Sequence, residues 1–344
     1  MLNFNVTHQR LNKILSKFKQ ARILVVGDLM LDEFIWGTVS RISPEAPVPV
    51  VWVNRSSFMP GGACNVVNNI RALGGGVYAC GVIGQDPAGA MLMDRLRERA
   101  INTEGVLIDT LRPTIKKTRI IAHHQQVVRV DREGDGLVKS VLIEKIIHFI
   151  EKTIKDVDAV IIEDYGKGLI QPKLIKRVIT LAKKYKKIIV VDPKEEHFSY
   201  YKGATLVTPN QHEAEVTTSV KITDDDSLRK AANKLIAKLK CKALLITLGE
   251  KGMVLFQGSL SSRQAGRKFT KIPTLAREVF DVSGAGDTVV ASFTLAKASG
   301  GSMKEAAYIS NIAAGIVVGK LGVAVVTPQE LKKEIRLIKN RSSK

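Results

Sequence analysis

The chain has 344 residues, 45% of them hydrophobic, enough for one large α/β domain or two medium ones, and no run of about 18 apolar residues that would predict a membrane span. Its formal charge of +20 comes with only 5% aromatics, and lysines such as Lys173, Lys176, Lys183 and Lys184 follow helical stretches, so solvated helix faces with some attraction for phosphorylated ligands are expected rather than a specific nucleic-acid surface. Three scattered cysteines, Cys64, Cys80 and Cys241, predict neither a disulfide framework nor a zinc site; a cytoplasmic protein without membrane partners is expected.

Residues 1–20 lack a signal-type apolar core and read as an amphipathic helix with Leu11, Ile14, Leu15 and Phe18 on one face. A buried strand at 23–26 ends at Gly27-Asp28. Residues 62–73 open at glycines and continue as a helix, 77–83 form a strand and 88–100 a helix. Strands at 159–162, 188–191 and 243–247 end at Glu163-Asp164, Asp192 and Gly249, with helices at 171–184 and 226–239 between them. Leu206-Val207 leads into Thr208-Pro209-Asn210. Continuous apolar strands alternating with helices indicate a parallel sheet covered on both faces, with ligands bound just beyond the strand ends.

Two segments break this rhythm. Residues 34–53 carry Pro44, Pro47 and Pro49 among β-formers, and 118–131 alternate around His123-His124-Gln125-Gln126. They are expected to pair as a small sheet. The predicted organisation is an N-terminal helix (1–20), one domain (21–335) with lid segments at about 34–54 and 112–131, and a basic tail (336–344).

The chemistry concentrates in Asp281-Val282-Ser283-Gly284-Ala285-Gly286-Asp287-Thr288. Glu278-Val279-Phe280 before it reads as the end of an extended segment, and 289–298 after it as a helix. Glycines at a helix N-terminus let N–H groups approach an anion, and the helix dipole adds positive potential. Asp287 in the first turn can take a proton from a hydroxyl beside that anion hole, which suits γ-phosphoryl transfer to an alcohol. An ordinary strand-helix turn with an N-cap Asp has the same pattern. Gly61-Gly62-Ala63-Cys64-Asn65 offers backbone and an amide to a sugar, or simply a capping turn, with Cys64 as a small packing residue. No G-x-x-x-x-G-K-[ST] loop is present, and Gly27-Asp28-Leu29-Met30 lacks G-x-G-x-x-G, which disfavours a dinucleotide-binding dehydrogenase.

The GGACN run with Ala72-Leu73-Gly74, Asn210-Gln211-His212-Glu213, Thr247-Leu248-Gly249-Glu250-Lys251-Gly252 and DVSGAGDT, in this order, resemble the ribokinase-like sugar kinases of the phosphofructokinase-B type over nearly all the chain after about residue 20. The resemblance implies a doubly wound, mainly parallel sheet flanked by helices, with a small β-lid. Gly27-Asp28-Leu29-Met30-Leu31-Asp32, residues 40–50, Asp164-Tyr165-Gly166-Lys167-Gly168, Asp192-Pro193-Lys194 and Gly319-Lys320-Leu321-Gly322 are similar to the heptose-7-phosphate kinase branch. That branch implies ATP-dependent phosphorylation of D-glycero-β-D-manno-heptose 7-phosphate at O1, giving the 1,7-bisphosphate on the route to ADP-heptose and lipopolysaccharide. The branch often carries a fused adenylyltransferase domain. This chain stops soon after Thr327-Pro328 and so resembles the stand-alone kinase, with any adenylyltransferase a separate partner. Two departures are Glu163, where a small residue is expected, and Ser283, where Thr is usual.

The resemblance implies roles residue by residue. Asp287 is the general base, and Gly284, Ala285 and Gly286 form the anion hole. Asn210, Gln211, His212 and Glu213 position Mg²⁺-ATP, Glu213 through metal-bound water. Thr247, Gly249 and Gly252 line the nucleotide side, and Asn311 is either near the adenine or a buried helix Asn. Asp32, Gly62 and Asn65 hold sugar hydroxyls; Asp28 does the same or caps a loop. Asp164, Lys167 and Lys194 follow strand ends, where the lysines suit the 7-phosphate, the ATP phosphates or a structural ion pair. Arg41 in the lid is the other candidate for the 7-phosphate. ATP and Mg²⁺ are expected, with a monovalent cation left open, and a homodimer pairing through the lids. Competing readings are a fructokinase or ribokinase, a non-catalytic sugar-binding regulator, which the retained Asp287 speaks against, and a basic nucleic-acid-binding protein, which fits only the charge.

Overall fold

The computed structural model describes residues 7–123, 125–257, 268–276, 278–320 and 322–342. Residues 1–6, His124, Leu321 and 343–344, which belong to segments singled out above, lie outside the described residues.

The chain enters through a helix, His8–Ser16, capped by Thr7, whose Leu11, Ile14 and Leu15 are buried as their spacing predicts. The first strand, β1 (Arg22–Gly27), is buried along all but its first residue. Its side chains alternate between two cores: Ile23 and Val25 join one cluster, Leu24 and Val26 the other. A strand buried on both faces must be apolar throughout, which explains the RILVVG run.

The remaining strands are β2 (Leu29–Ile42), β3 (Pro49–Gly62), β4 (Gly76–Gly84), β5 (Asn102–Asp109), β6 (Ile115–Ala122), β7 (Gln125–Arg132), β8 (Ala159–Glu163), β9 (Ile188–Asp192), β10 (Leu206–Val207), β11 (Ala243–Thr247), β12 (Met253–Gln257) and β13 (Lys268–Ile272). Eight of them join β1 in one sheet in the order β13-β12-β11-β10-β9-β8-β1-β4-β5, parallel except where β12 pairs β11 and β13 pairs β12. From β1 the chain first builds outward through β4 and β5, then returns to β8 on the other side. The strand order therefore reverses between β1 and β8, and the crevice beyond their carboxyl ends is where such sheets bind ligands. Asp28 and Asp164 stand just past those two ends.

The expected lid is a second sheet, in the order β3-β2-β6-β7, with β2 and β6 parallel. Its strands outrun the expected segments. β2 and β3 are 14 residues each, pair from Leu29↔Gly62 to Ile42↔Pro49, and root directly in the main sheet's edge of the crevice. β7 is exposed along its whole length.

Two expectations on local structure are corrected. Residues 278–280 are not in a strand: Val279 and Phe280 are exposed, and the Phe280 and Asp281 N–H groups donate to Val318 O, so the segment hangs on a helix end instead of a neighbouring strand. The basic tail from 336 does not start a separate segment: the helix Pro328–Ser342 runs through 336–342, started by Thr327, whose N–H and hydroxyl both meet the Glu330 carboxylate.

Candidate active site

Asp287 lies in the first turn of the helix Ala285–Ala298 and is 6% exposed. Its Oδ2 accepts from Asn65 Nδ2 at 2.5 Å and its Oδ1 from the Tyr165 hydroxyl at 2.8 Å. Asn65 is held in turn. The helix Ala63–Ala72 carries Asn69 one turn later, and Asn69 Nδ2 donates to both the backbone and side-chain oxygens of Asn65. Thr288 closes the ring by donating its hydroxyl to Asn69 Oδ1. Burial pushes the Asp287 carboxyl up from its ordinary value, and the Asn65 and Tyr165 donors pull it back. Each Asp287 oxygen keeps a lone pair for a further donor.

Gly284 precedes that helix at φ +77°, ψ 7°, the left-handed region. A Cβ there would also stand 2.6 Å from Asn65 Nδ2. The glycine thus serves the turn and the amide that grips Asp287. Among the described residues the Gly286 and Asp287 N–H groups have no backbone or side-chain acceptor, whereas Ala285 N–H is spent on Val282 O. Gly286 and Asp287 therefore present the free donors of the helix start, and Ala285 does not.

On the lid side, Asp32 is buried, with Oδ1 taking Arg119 Nη1 at 2.6 Å. Gly61 makes room for it, since a Cβ at 61 would sit 2.4 Å from Asp32 Oδ2. Gly62 joins β3 to the helix Ala63–Ala72. Asp28 is buried and caps the next loop: its Oδ2 accepts the N–H groups of Tyr165 and Lys167, and burial still pushes its carboxyl up to about 6. Cys64 is fully buried, its thiol pushed up to about 12 by burial, as a packing residue should be.

Past β9, Asp192 accepts from the Thr208 hydroxyl at 2.7 Å and is pushed by burial up to about 7. Asn210 starts the helix Gln211–Thr218 and forms a reciprocal cap with Glu213, each side chain bonding the other's backbone N–H. Asn210 also bridges to Thr247 at the end of β11. Asp192, Thr208, Asn210, Glu213, Thr247 and Gly286 line one pocket of about 70 Å³, so the Asn210–Glu213 motif and the Gly286 turn face a common space. Burial and the nearby Asp192 push Glu213 up to about 8. Gly249 and Gly252 make the turn between β11 and β12, both at positive φ. A larger cavity of about 400 Å³ is lined by Phe280, Ile312, Gly315 and Ile316 with Glu278 and Glu334 at its wall.

Several expected site residues are engaged elsewhere. Asp164 gives Oδ1 to Gly166 N–H and Oδ2 to His197 Nδ1 and the Tyr201 hydroxyl, so its carboxylate organises its own loop. Lys167 pairs with Glu133 and Lys194 with Glu195, at 2.8 and 2.6 Å. Asn311 is buried and donates to Pro273 O. Gln211 spends its amide on Glu215 and Ile222 O, and His212 is exposed. Arg41 is exposed, nine residues beyond Asp32 along β2, hence roughly 30 Å further up the strand.

Three residues went unassigned in the sequence. Tyr165 donates its hydroxyl to Asp287, and the D-Y-G-K-G motif was the available signal. Glu163, the departure noted above, is fully buried, and neither of its carboxylate oxygens meets a donor. It brings an oxygen within 4.8 Å of oxygens from Asp192 and Asp287. Burial, reinforced by those two neighbours, raises its carboxyl well above the ordinary range. The third is Lys117, discussed below.

Residues 20–330 match the model of the pfkB family carbohydrate kinase. A relative from Citrifermentans bemidjiense, named bifunctional protein HldE, is 46% identical over 314 residues, covering 91% of this chain and 63% of that one. Another of that name from Helicobacter hepaticus is 45% identical over 313 residues, with coverage of 91% and 63%. The chain thus spans somewhat under two thirds of the length of these relatives. Among solved structures, Arabidopsis thaliana ribokinase complexed with ribose and ATP is similar with a TM-score of 0.72 at 19% identity, covering 92% of this chain and 99% of that one. The tetrameric inhibited form of Escherichia coli phosphofructokinase-2 gives 0.73 at 18% identity, with coverage of 93% and 99%. At these identities the two structures speak to the ribokinase-like fold alone. No helix among the described residues is long and apolar enough to cross a membrane.

Proposed function

The chain belongs to the pfkB family of carbohydrate kinases, and on that premise we propose that it transfers the γ-phosphoryl group of ATP to O1 of a heptose 7-phosphate. The observation that carries this reading is the Asp287 carboxylate, fixed by Asn65 and Tyr165 in the first turn of a helix whose Gly286 and Asp287 N–H groups have no acceptor. The heptose branch rests on the motifs around Asp28, residues 40–50 and Asp164.

Asp287 takes the proton of the sugar hydroxyl as its oxygen attacks. The new bond forms between that oxygen and Pγ, the bond from Pγ to the β-bridging oxygen breaks, and ADP leaves. Charge on the transferring group meets the N–H groups of the helix start, already oriented and within a largely dry site. Asp32 and Asn65 border the sugar position. The cavity along Phe280, Ile312 and Gly315 suits the nucleoside, and the Asn210–Glu213 pocket suits its phosphates. The oxygen-rich pocket around Asp192 and Glu213 suits a hard divalent ion, whose burial-raised carboxyls gain from a cation. Glu213, with Asp192 beside it, would hold Mg²⁺, which would supply positive charge against the phosphates of ATP.

A substrate panel tests the branch. Phosphorylated sugars should exceed their unphosphorylated parents by at least about tenfold in kcat/KM, since a charge-assisted contact contributes on the order of 1.5–3 kcal/mol. If an unphosphorylated hexose or pentose is the better substrate, the heptose assignment is wrong and a fructokinase or ribokinase activity takes its place.

The lid also supports a homodimer. Ile42, Val48, Trp52, Val53, Val127, Val128 and Val130 are exposed on its strands or their connection, with Trp52 at 73%. Apolar side chains concentrated on a thin sheet are normally covered. Trp52→Asp should halve the mass seen by sedimentation velocity at micromolar concentration. An unchanged mass would leave the lid as a sugar cover alone.

A further inference from the structure

We propose that Lys117 holds the phosphate group of the sugar substrate, an assignment that rests on the sugar-phosphate kinase reading above. Lys117 lies on β6, in register with Asp32 on β2 and with Asp131 on β7. Its Nζ stands 5.5 Å from the centre of the Tyr165 ring, and the hydroxyl of that ring donates to Asp287. One aromatic ring and one hydrogen bond thus separate the ammonium from the base. A sugar whose hydroxyl reacts at Asp287 and whose phosphate is carried at the far end of its carbon chain spans a comparable length.

The other cations near the crevice are committed. Lys116 pairs with Glu33, Arg119 with Asp32, Lys167 with Glu133 and Lys194 with Glu195. Arg112 donates to the carbonyls of Gly134, Gly136 and Lys167. Lys117 is half-buried, and among the described residues no carboxylate oxygen lies within 4.0 Å of its Nζ and no hydrogen-bond acceptor meets it. An ammonium withdrawn from water without a counter-ion is costly, and two more cations, Lys167 and Arg129, bear on it from nearby. Burial lowers its pKa, against the weaker pull of Asp131 and Asp32. A dianionic phosphate offsets both the desolvation and the repulsion. Its strong acceptors suit a point-charge donor on a flexible stem. Unphosphorylated sugar would leave the cluster uncompensated, so the same residue selects against it.

The test compares heptose 7-phosphate with the same heptose lacking phosphate. In Lys117→Met the ratio of their kcat/KM values should fall at least about tenfold, and Lys117→Arg should restore most of it. If instead both substrates lose rate together and the ratio stands, Lys117 acts only on the electrostatics of Asp287 and the proposal is overturned. If the wild-type protein shows no preference for the phosphorylated sugar, the parent reading has failed and this assignment falls with it, whereas a wild-type preference that survives in Lys117→Met overturns this assignment alone. A measurement on the wild-type chain removes dependence on a folded variant: heptose 7-phosphate without ATP should protect Lys117 from acetylation by at least about tenfold, read by peptide mass spectrometry, while unphosphorylated heptose should not. Equal labelling with and without the sugar phosphate would also overturn the proposal.

Discussion

Asp287→Asn should lower kcat by about 10²–10⁴-fold, the usual cost of losing a positioned base. The substitution keeps size and nearly keeps the hydrogen bonds. The introduced amide can turn its oxygen to Asn65 Nδ2 and its NH₂ to the Tyr165 hydroxyl, which accepts as readily as it donates. The fold and the N–H groups of Gly286 and residue 287 should survive, so calorimetric titration should find ATP and heptose 7-phosphate binding within a few-fold of wild type. That separation of binding from turnover is the signature of a proton acceptor. Near-normal turnover in a variant with a wild-type melting curve would remove Asp287 from the chemistry.

Tyr165→Phe and Asn65→Ala should each move the acid limb of the kcat–pH profile to higher pH. Burial raises the Asp287 carboxyl, and the two donors are what hold it down. Removing a donor to an ionised carboxylate forfeits on the order of 1.5–3 kcal/mol, equivalent to about one to two pKa units. The base must be ionised to act, so turnover below that shifted limb should fall by about 10–100-fold and recover as pH rises. Tyr165→Phe keeps the ring that Lys117 approaches, so the loss should appear in kcat more than in KM. A drop of the same size at every pH would mean that the two donors only aim the carboxylate. An unmoved limb with full rate would mean that they do neither.

What was legible in the sequence were features that local chemistry encodes. The interiors of β1, β8, β9 and β11 had to be apolar because both faces of the sheet are covered, and those runs are visible without coordinates. The DVSGAGDT turn announced a helix start because Gly284 adopts a backbone that other residues resist. The proline-bearing lid stood out because it breaks the strand-helix alternation. β12 joins β11 through the short Gly249–Gly252 turn, without the intervening α-helix that punctuates the parallel strands. Residues 278–280 read as extended because Val and Phe favour strands, yet among the described residues no strand pairs them and they hang on Val318 O.

Pairing of charged side chains was the part that only tertiary structure could decide. Asp164, Lys167 and Lys194 follow strand ends at the crevice, as expected, but His197, Glu133 and Glu195 take up their charges. Lys116 and Lys117 are neighbours on β6, yet the fold gives Lys116 the Glu33 carboxylate and sets Lys117 beside the Tyr165 ring, with no ion-pair partner among the described residues. Glu163 departs from the small residue expected at its position, and β1, β9 and the Ala285–Ala298 helix close around it. A residue's type limits which interactions it can make, but whether an ion finds its counter-ion depends on separations of a few ångströms between segments distant in the chain. In a buried site those separations decide the outcome, because an unpaired charge there costs far more than it does in water.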